Sequence, residues 1–324
     1  MVASSPRERT MRLPDVHREK PDVAFPLKRV GVVGIKMPIG FVSFEGKPVM
    51  VLPTFDVFID LPADQRGIHS SRNYEVTSEV LSQYVGKMYK LENLCAAISR
   101  ELFRRHEYVT RSEVRAYGEA VFEKRTPKTG ILTYESCDIM AKAVADKGPD
   151  GAISVKKTIG VGVVGMTACP CGEEILKEAS RKELKGELNL SRVEADEILK
   201  RIPTATHIQR SYGSIAVEIP EEVEIDAMRL VHIVEDSMSA STYELLKRAD
   251  EVELVRKAVG NARFVEDCVR YMVRNVVESF PDLPDQVYVT SMQRNEESIH
   301  KHDLVAERSA TLGEIRRELG RRGE

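Results

Sequence analysis

From Ile153 to Gly165 the chain reads Ile-Ser-Val-Lys-Lys-Thr-Ile-Gly-Val-Gly-Val-Val-Gly, then passes through Met166-Thr-Ala-Cys-Pro-Cys171 into acidic, helix-forming sequence from Glu173. A β-branched run punctuated by glycine reads as a long strand. A thiol at the exit of a buried strand is well placed for metal binding or nucleophilic chemistry. Downstream, His207-Ile-Gln-Arg210 and Glu296-Glu297-Ser-Ile-His300-Lys-His302 offer partners.

The flanking sequence places this strand in an antiparallel setting. Before it, Arg29–Ile35, Val49–Leu52 and Phe55–Leu61 read as strands, with a turn at Glu45-Gly46. Gly31-Val-Val-Gly34 lacks the G-x-G-x-x-G pattern and no helix follows it promptly, so a dinucleotide-binding reading fails. Pro62–Arg72 reads as a polar loop that brings Arg66, His69 and Arg72 close in sequence, and Thr77–His106 is helical in period, as one helix or two. Glu113–Glu123 alternates, Thr126-Pro-Lys-Thr-Gly130 reverses the chain, and Ile131–Tyr134 starts another strand.

The turn cluster Lys147-Gly-Pro-Asp-Gly151 is the candidate module boundary. Beyond it, Glu173–Ile202 is charged and helical, Thr206–Ile219 extended, and Asp226–Val234, Thr242–Lys247 and Phe264–Phe280 helical. Val287–Met292 and Leu304–Arg308 are extended, and Leu312–Leu319 closes the chain as a helix. Each half thus reads as strand pairs with helices between them, which is α+β and antiparallel, twice over. The expected organisation is an arm over residues 1–22, a first module over 23–148, and a second over 149–324 with an inserted helical segment at 173–203.

Composition excludes several classes. Among 324 residues, 48 Lys and Arg face 51 Asp and Glu. That balance supplies no global pull toward nucleic acid or an anionic membrane, so an anionic ligand needs a local cluster. Five scattered cysteines, Cys95, Cys137, Cys169, Cys171 and Cys268, argue against a secreted disulfide scaffold and for a reducing cytoplasm. No apolar run approaches the roughly 20 residues of a membrane helix. The Arg- and Pro-rich N-terminus reads as a flexible arm, not a signal sequence.

Cys169-Pro-Cys171 is not C-x-x-C, so neither a thioredoxin-type motif nor a zinc ribbon fits. Alone, such a pair is more often structural than catalytic. With His207, 38 positions on, and a carboxylate, one cysteine would make a divalent-metal site with a place left for water. Thiolate and imidazole suit zinc or ferrous iron better than magnesium. In the loop after Met292, His300 and His302 suit acid–base work and Glu297 suits a purine N–H edge; a plain polar hairpin loop is the alternative.

Taken in order, Gly165-Met-Thr-Ala-Cys-Pro-Cys171, Thr206-His-Ile-Gln-Arg210, Leu245-Leu-Lys-Arg-Ala-Asp-Glu251, Phe264-Val-Glu-Asp267 and Glu297-Ser-Ile-His-Lys-His302 resemble the type IB GTP cyclohydrolases. Arg66-Gly-Ile-His-Ser-Ser-Arg72 is similar to that family's Arg-Gly-x-His-Met-Ser-Arg, with Ser70 in place of methionine. The opening Val30–Lys36 and the segment between Cys171 and His207 resemble the archaeal branch, which feeds methanopterin-like pterins. Ala249 stands where the family often has proline, and the insertion lengthens the usual Cys-to-His spacing.

The resemblance implies two tandem tunnelling-fold modules per chain, assembled as a homotetramer with sites at subunit interfaces. It implies one divalent metal per subunit on Cys169, His207 and Glu251, with Fe(II) expected and Mn(II) or Zn(II) as alternatives. It further implies that Glu266 lies near the attacking water, Glu297 anchors guanine, His300 and His302 transfer protons, and His69 reaches substrate from a neighbouring subunit. The triphosphate of GTP would be met by Arg66, Arg72, Arg210, Lys247 and Arg248. The expected activity opens the guanine imidazole ring at C8, releases formate and gives a dihydroneopterin phosphate, cyclic in the archaeal branch. A non-catalytic purine- or pterin-binding scaffold with a structural metal is the competing expectation.

Overall fold

The computed structural model describes residues 15–37, 41–44, 46–84 and 87–320. The first fourteen residues of the expected arm and Glu45 of the expected turn lie outside them. In the first half, β1 (Leu27–Lys36), β2 (Phe41–Phe44), β3 (Lys47–Val51) and β4 (Thr54–Leu61) precede α1 (Ser70–Ser82), β5 (Met88–Tyr89) and α2 (Leu91–Arg105). β6 (Arg111–Arg125) and β7 (Leu132–Lys147) then complete it. In the second half, β8 (Ile153–Ala168) leads to α3 (Pro170–Glu187), α4 (Arg192–Arg201) and β9 (Ile208–Pro220). There follow α5 (Ala227–Ser237), β10 (Ala240–Ser241), α6 (Arg248–Gly260) and α7 (Val265–Ser279), then β11 (Tyr288–Asn295), β12 (Leu304–Thr311) and α8 (Leu312–Gly320).

Eight strands run β1-β4-β6-β7-β8-β9-β11-β12, antiparallel at every step, while β3, β2 and β5 extend one flank from β6 and β10 sits on β8. Each half therefore places two strands, helices, and two strands in the same order, and the β7–β8 ladder makes one sheet of both. The turn at Gly148–Ala152 joins them, closed by the Gly148 N–H on the Ala152 carbonyl at 2.8 Å.

One face of the sheet is apolar because side chains alternate along each strand. On β7 this turns Cys137, Ile139, Ala141, Ala143 and Ala145 inward, and the small alanines leave room for α2, whose Leu94, Cys95, Ile98 and Leu102 are fully buried. Burying each such leucine or isoleucine stabilises the fold by about 1.5–3 kcal/mol. α5 and α7 cover the second half in the same way through Leu230, Val231, Met272 and Val276. Among the described residues no helix is long and apolar enough to cross a membrane.

Several expected elements differ. The span Thr77–His106 takes the two-helix alternative, with β5 between the helices, but α1 already starts at Ser70, inside the expected loop. The insertion is two helices: the chain breaks after Glu187, Asn189 takes a left-handed φ of 54°, and Ser191 caps α4 in a reciprocal box with Glu194. Thr242–Lys247 is not helical. Tyr243 and Leu246 pack as loop residues on a small cluster of Ala240, Leu254 and Ala258, and the helix begins only at Arg248, where the Lys247 N–H donates to Asp250. The described part of the arm is docked, through Arg66 N–H to the Glu19 carbonyl (2.9 Å) and Gly67 N–H to the His17 carbonyl (3.2 Å).

Candidate metal centre and substrate site

The exit of β8 is pinned from three sides. The Ala168 N–H donates to Ser239 Oγ at 3.0 Å and its carbonyl accepts from the Arg263 N–H at 3.0 Å, so the approach to α7 is tied to this strand end. The Cys169 N–H donates to the His207 carbonyl at 3.1 Å, and Thr206 Oγ1 donates to the Cys169 carbonyl at 2.8 Å. Strand pairing of Ala168 with Ile208 therefore sets Cys169 and His207 side by side. Cys169 also caps α3, its sulfur accepting from the Gly172 N–H at 3.4 Å. Of the two thiols, Cys169 is half-buried and Cys171 exposed.

The His207 ring is oriented by Gln209, whose Oε1 lies 3.0 Å from Nδ1. An amide oxygen accepts only, so Nδ1 carries the proton and Nε2 keeps its lone pair for a ligand. The other end of the same amide, Nε2, donates to Glu297 Oε1 at 3.1 Å, and Glu297 Oε2 lies 4.0 Å from His207 Nδ1. Glu297 is thus held by the group that orients the imidazole, and its side chain is only 6% exposed. Beyond it, the exposed rings of His300 and His302 stack with centroids 5.1 Å apart and planes within 11°.

The donor types suit a soft-to-borderline divalent ion, since a cysteine sulfur and an imidazole are carried by neighbouring backbone. Glu251 is on the exposed side of the first turn of α6, one turn before Leu254, whose cluster Met166 and Ile208 pack against. Among the described residues, however, the donor atoms of Cys169, His207 and Glu251 do not all come within 4.8 Å of one another. The trio that does is Asp15, His17 and His69.

Arg210 lies on β9 opposite Met166, its carbonyl accepting from the Glu296 N–H, and Lys247 immediately precedes α6. Glu266, in the first turn of α7, is exposed and lines a groove with Arg270, Arg274 and Arg308; no hydrogen bond or ion pair joins it to Cys169 or His207.

Arg66, His69 and Arg72 are elsewhere. Ile59 is level with Ser112, Ser112 with Ala145, and Ala145 with Val155, so the loop after β4 sits at the start of β8. From Val155 to Ala168 is thirteen residues, about 40 Å of strand at roughly 3.3 Å each. There Arg66 pairs with Glu19 at 3.0 Å and Arg72 donates to the Arg105 carbonyl at 3.1 Å. His69 Nε2 meets the two oxygens of Asp15 at 3.0 and 3.1 Å. One chain does not bring these residues to Cys169.

Sequence reasoning missed Asp250. Fully buried, it accepts from the N–H groups of Lys128, Thr129 and Lys247 and from Thr129 Oγ1, and so fastens the start of α6 to the β6–β7 turn. That turn lies at the same end of the sheet as Ala168: the β7–β8 ladder ends at Asp138 opposite Gly162, six residues after β7 starts and six before β8 ends, and β10 pairs with β8 beyond it. No local signal marked it, because the capping-box pattern calls for Ser or Thr at the cap and Lys247 stands there.

Residues 13–306 match the family model described as type I GTP cyclohydrolase folE2. The chain is 44% identical over 311 residues to GTP cyclohydrolase MptA 2 of Methanocella arvoryzae, covering 96% of this chain and 100% of that protein. It is 45% identical over 306 residues to GTP cyclohydrolase MptA of Methanococcus aeolicus, covering 94% and 99% respectively. Among solved structures it is similar to the uricase from Arthrobacter globiformis, with a TM-score of 0.52 and 11% identity over 90% of this chain and 96% of that one. Such a likeness speaks to architecture alone, and the architecture is the tunnelling fold.

Proposed function

The chain belongs to the type I GTP cyclohydrolase folE2 family, and we propose that it is a metal-dependent GTP cyclohydrolase of the archaeal, methanopterin-directed branch. The observation that carries this reading is the pairing of Cys169 with His207 at the β8 exit, joined through Gln209 to the nearly buried Glu297. One amide that orients His207 and holds Glu297 would set a base bound by Glu297 beside a cation bound by His207. Cys169, His207 and Glu251 would hold the metal, Fe(II) first and Mn(II) or Zn(II) as alternatives. When bound, it supplies Lewis acidity and brings the ionisation of water toward neutrality.

The chain's own groups do the rest. Glu297 accepts from the N–H edge of guanine and fixes the imidazole ring. Glu266 orients water toward C8. As the first C8–N bond breaks, the departing ring nitrogen takes a proton from His300 or His302. A second water then cleaves the remaining C8–N bond, and C8 leaves as formate. Ring closure of the opened product with the ribose carbons, with loss of water, gives the 7,8-dihydroneopterin skeleton; attack of the neighbouring side-chain hydroxyl on the α-phosphorus, with diphosphate leaving, would give the 2′,3′-cyclic phosphate expected as end point.

Arg210, Lys247 and Arg248 lie at this end of the sheet. Arg66, His69 and Arg72 lie about 40 Å of strand away, so they reach a substrate here only from a neighbouring chain, which supports a homotetramer with shared sites.

The test is anaerobic. The protein is stripped of metal, reloaded with Fe(II), Mn(II) or Zn(II), and given GTP, while formate and a fluorescent oxidised pterin are followed in wild type and Cys169→Ala. Metal-dependent formate lost in the variant is the expected result. GTP binding with no formate under any metal overturns the reading and leaves the purine-binding scaffold.

A further inference from the structure

Asp15, His17 and His69 form a cluster that the cyclohydrolase reading does not use as a unit. Among the described residues they are the group whose possible metal-ligand atoms all lie within 4.8 Å of one another. A single helical turn at Val16–Arg18, closed by the Arg18 N–H on the Asp15 carbonyl at 3.2 Å, carries the first two. The Gly67 N–H on the His17 carbonyl and the Arg66 N–H on the Glu19 carbonyl lay this turn along the loop that leads into α1, where His69 is the capping residue. The His17 ring fits there because residue 67 has no side chain: a Cβ would stand 3.2 Å from its Cδ2. The rings of His17 and His69 come to 4.7 Å, centroid to centroid, with their planes inclined by 38°.

Each residue has one atom to offer. Arg18 Nε stands 3.3 Å from Asp15 Oδ2. The other oxygen, Oδ1, lies 3.0 Å from His69 Nε2 and 3.6 Å from His17 Nδ1. The second of these is too long for a hydrogen bond. Two ligand atoms held at about 2.0–2.1 Å by one tetrahedral zinc stand about 3.3 Å apart, so both separations are close to those of ligands around a single ion. His69 Nδ1 is closed off and has no hydrogen-bond partner, which leaves Nε2 as the one nitrogen that faces outward. The Asp15 and His17 side chains are 40% and 51% exposed, so a fourth position is open to water. Two imidazoles and a carboxylate, with no thiol among them, suit zinc(II).

We propose that Asp15, His17 and His69 bind a second divalent ion, zinc(II) by ligand type, which clamps the start of the described chain onto the loop before α1. None of these ligands comes from the Cys169–His207 end, so the site does not depend on the cyclohydrolase reading. An ion bound there takes His69 Nε2, and a substrate held by a neighbouring chain would meet the ion's open position in place of the ring.

The test counts metal. Full-length protein is stripped, dialysed to equilibrium against buffered free Zn(II), and its zinc per chain is measured in wild type, Cys169→Ala and Asp15→Asn/His17→Ala. The arm variant is expected to hold one zinc fewer per chain than wild type, and Cys169→Ala to keep the zinc that the arm variant loses. Because Asp15 and His17 are exposed, the arm variant should melt with wild type in the presence of a chelator. Zinc should also slow trypsin cleavage after Arg18 about fivefold in wild type and leave the rate in the arm variant unchanged. Equal zinc in wild type and the arm variant overturns the site, whatever Cys169 binds. Equal slowing of cleavage in both, or none in wild type, overturns the clamp. A protein that loses one zinc with Asp15 and His17 but makes no formate under any metal keeps this site and loses the cyclohydrolase reading.

Discussion

Thr129 and Asp250, 121 positions apart, share two hydrogen bonds: the Thr129 N–H to Oδ1 at 2.8 Å and Thr129 Oγ1 to Oδ2 at 2.7 Å. Burial by itself would raise the Asp250 carboxyl, but the bonds from Thr129, Lys128 and Lys247 outweigh it and hold the group well below the usual carboxylate range. A depressed folded value contributes stability above the unfolded pKa of roughly 3.9, and loses it as pH falls below that. Asp250→Ala should therefore lower the thermal midpoint at pH 7, with the gap to wild type narrowing below about pH 4. Because the next residue is Glu251, the variant should also retain metal about tenfold less well. Calorimetry across pH and equilibrium dialysis check both; identical midpoints at pH 7 would remove Asp250 as an anchor.

Gln209 should matter to metal retention through His207. Gln209→Leu removes the acceptor that fixes Nδ1–H, and a lost partner of this kind typically costs about 10–100-fold in metal affinity. Gln209→Glu keeps an acceptor for Nδ1–H but loses the donor to Glu297, so it should retain metal better than Gln209→Leu while weakening the hold on Glu297. Competition with a chelator measures the difference. Wild-type affinity in Gln209→Leu would mean that His207 is not held for a metal through Nε2.

His106 predicts a pH effect at the opposite end of the sheet. Its ring is fully buried, with Nε2 2.9 Å from Asn73 Oδ1 and Nδ1 3.2 Å from the Tyr108 hydroxyl. Burial, then Arg72 and His69 nearby, push it down to about 4. The folded protein resists a proton that the unfolded chain takes up at about 6.5, so stability is full above that pH and declines from there toward pH 4. The melting temperature should fall across this window and flatten in His106→Gln. An equal slope in the variant would assign the decline to other groups.

Gly31 should not accept even a methyl group. A Cβ there would stand 1.9 Å from the Val57 carbonyl oxygen, in the backbone of β4. Gly31→Ala must open the β1–β4 pairing and should cost about 3 kcal/mol in urea unfolding. At Gly34, φ is +78° and the space is open, so Gly34→Ala should cost only about 1–2 kcal/mol. A reversal of this order would contradict the close approach.

These glycines show where the sequence was legible and where it was not. Gly31-Val-Val-Gly34 looks like a fragment of a dinucleotide-binding motif; the structure uses it for a close strand contact at Gly31 and a left-handed residue, Gly34, at the register shift of β1 between Val32 and Ile35. Strand and helix order followed from local period and turn chemistry, so the repeated strand–helix–strand plan and the Thr126–Gly130 reversal were readable. The Thr242–Lys247 error has a local cause. Leu245 and Leu246 supply apolar spacing, but the cap lies at Lys247 and Asp250, and Asp250's other partners come from a turn more than a hundred residues earlier. The motif order brought Cys169 and His207 to one place, as strand pairing allows. For His69 the resemblance already implied a neighbouring subunit; that Arg66 and Arg72 share its end of the sheet depends on the register of three successive ladders.

That separation of His69 from Cys169 has a genetic consequence. If each reaction centre draws its halves from different chains, a His69→Ala chain and a Cys169→Ala chain are each dead alone yet damaged at different ends. Co-expressed, they should form mixed assemblies in which some interfaces pair two intact ends, so that a strain carrying both alleles recovers part of the activity that neither allele supports.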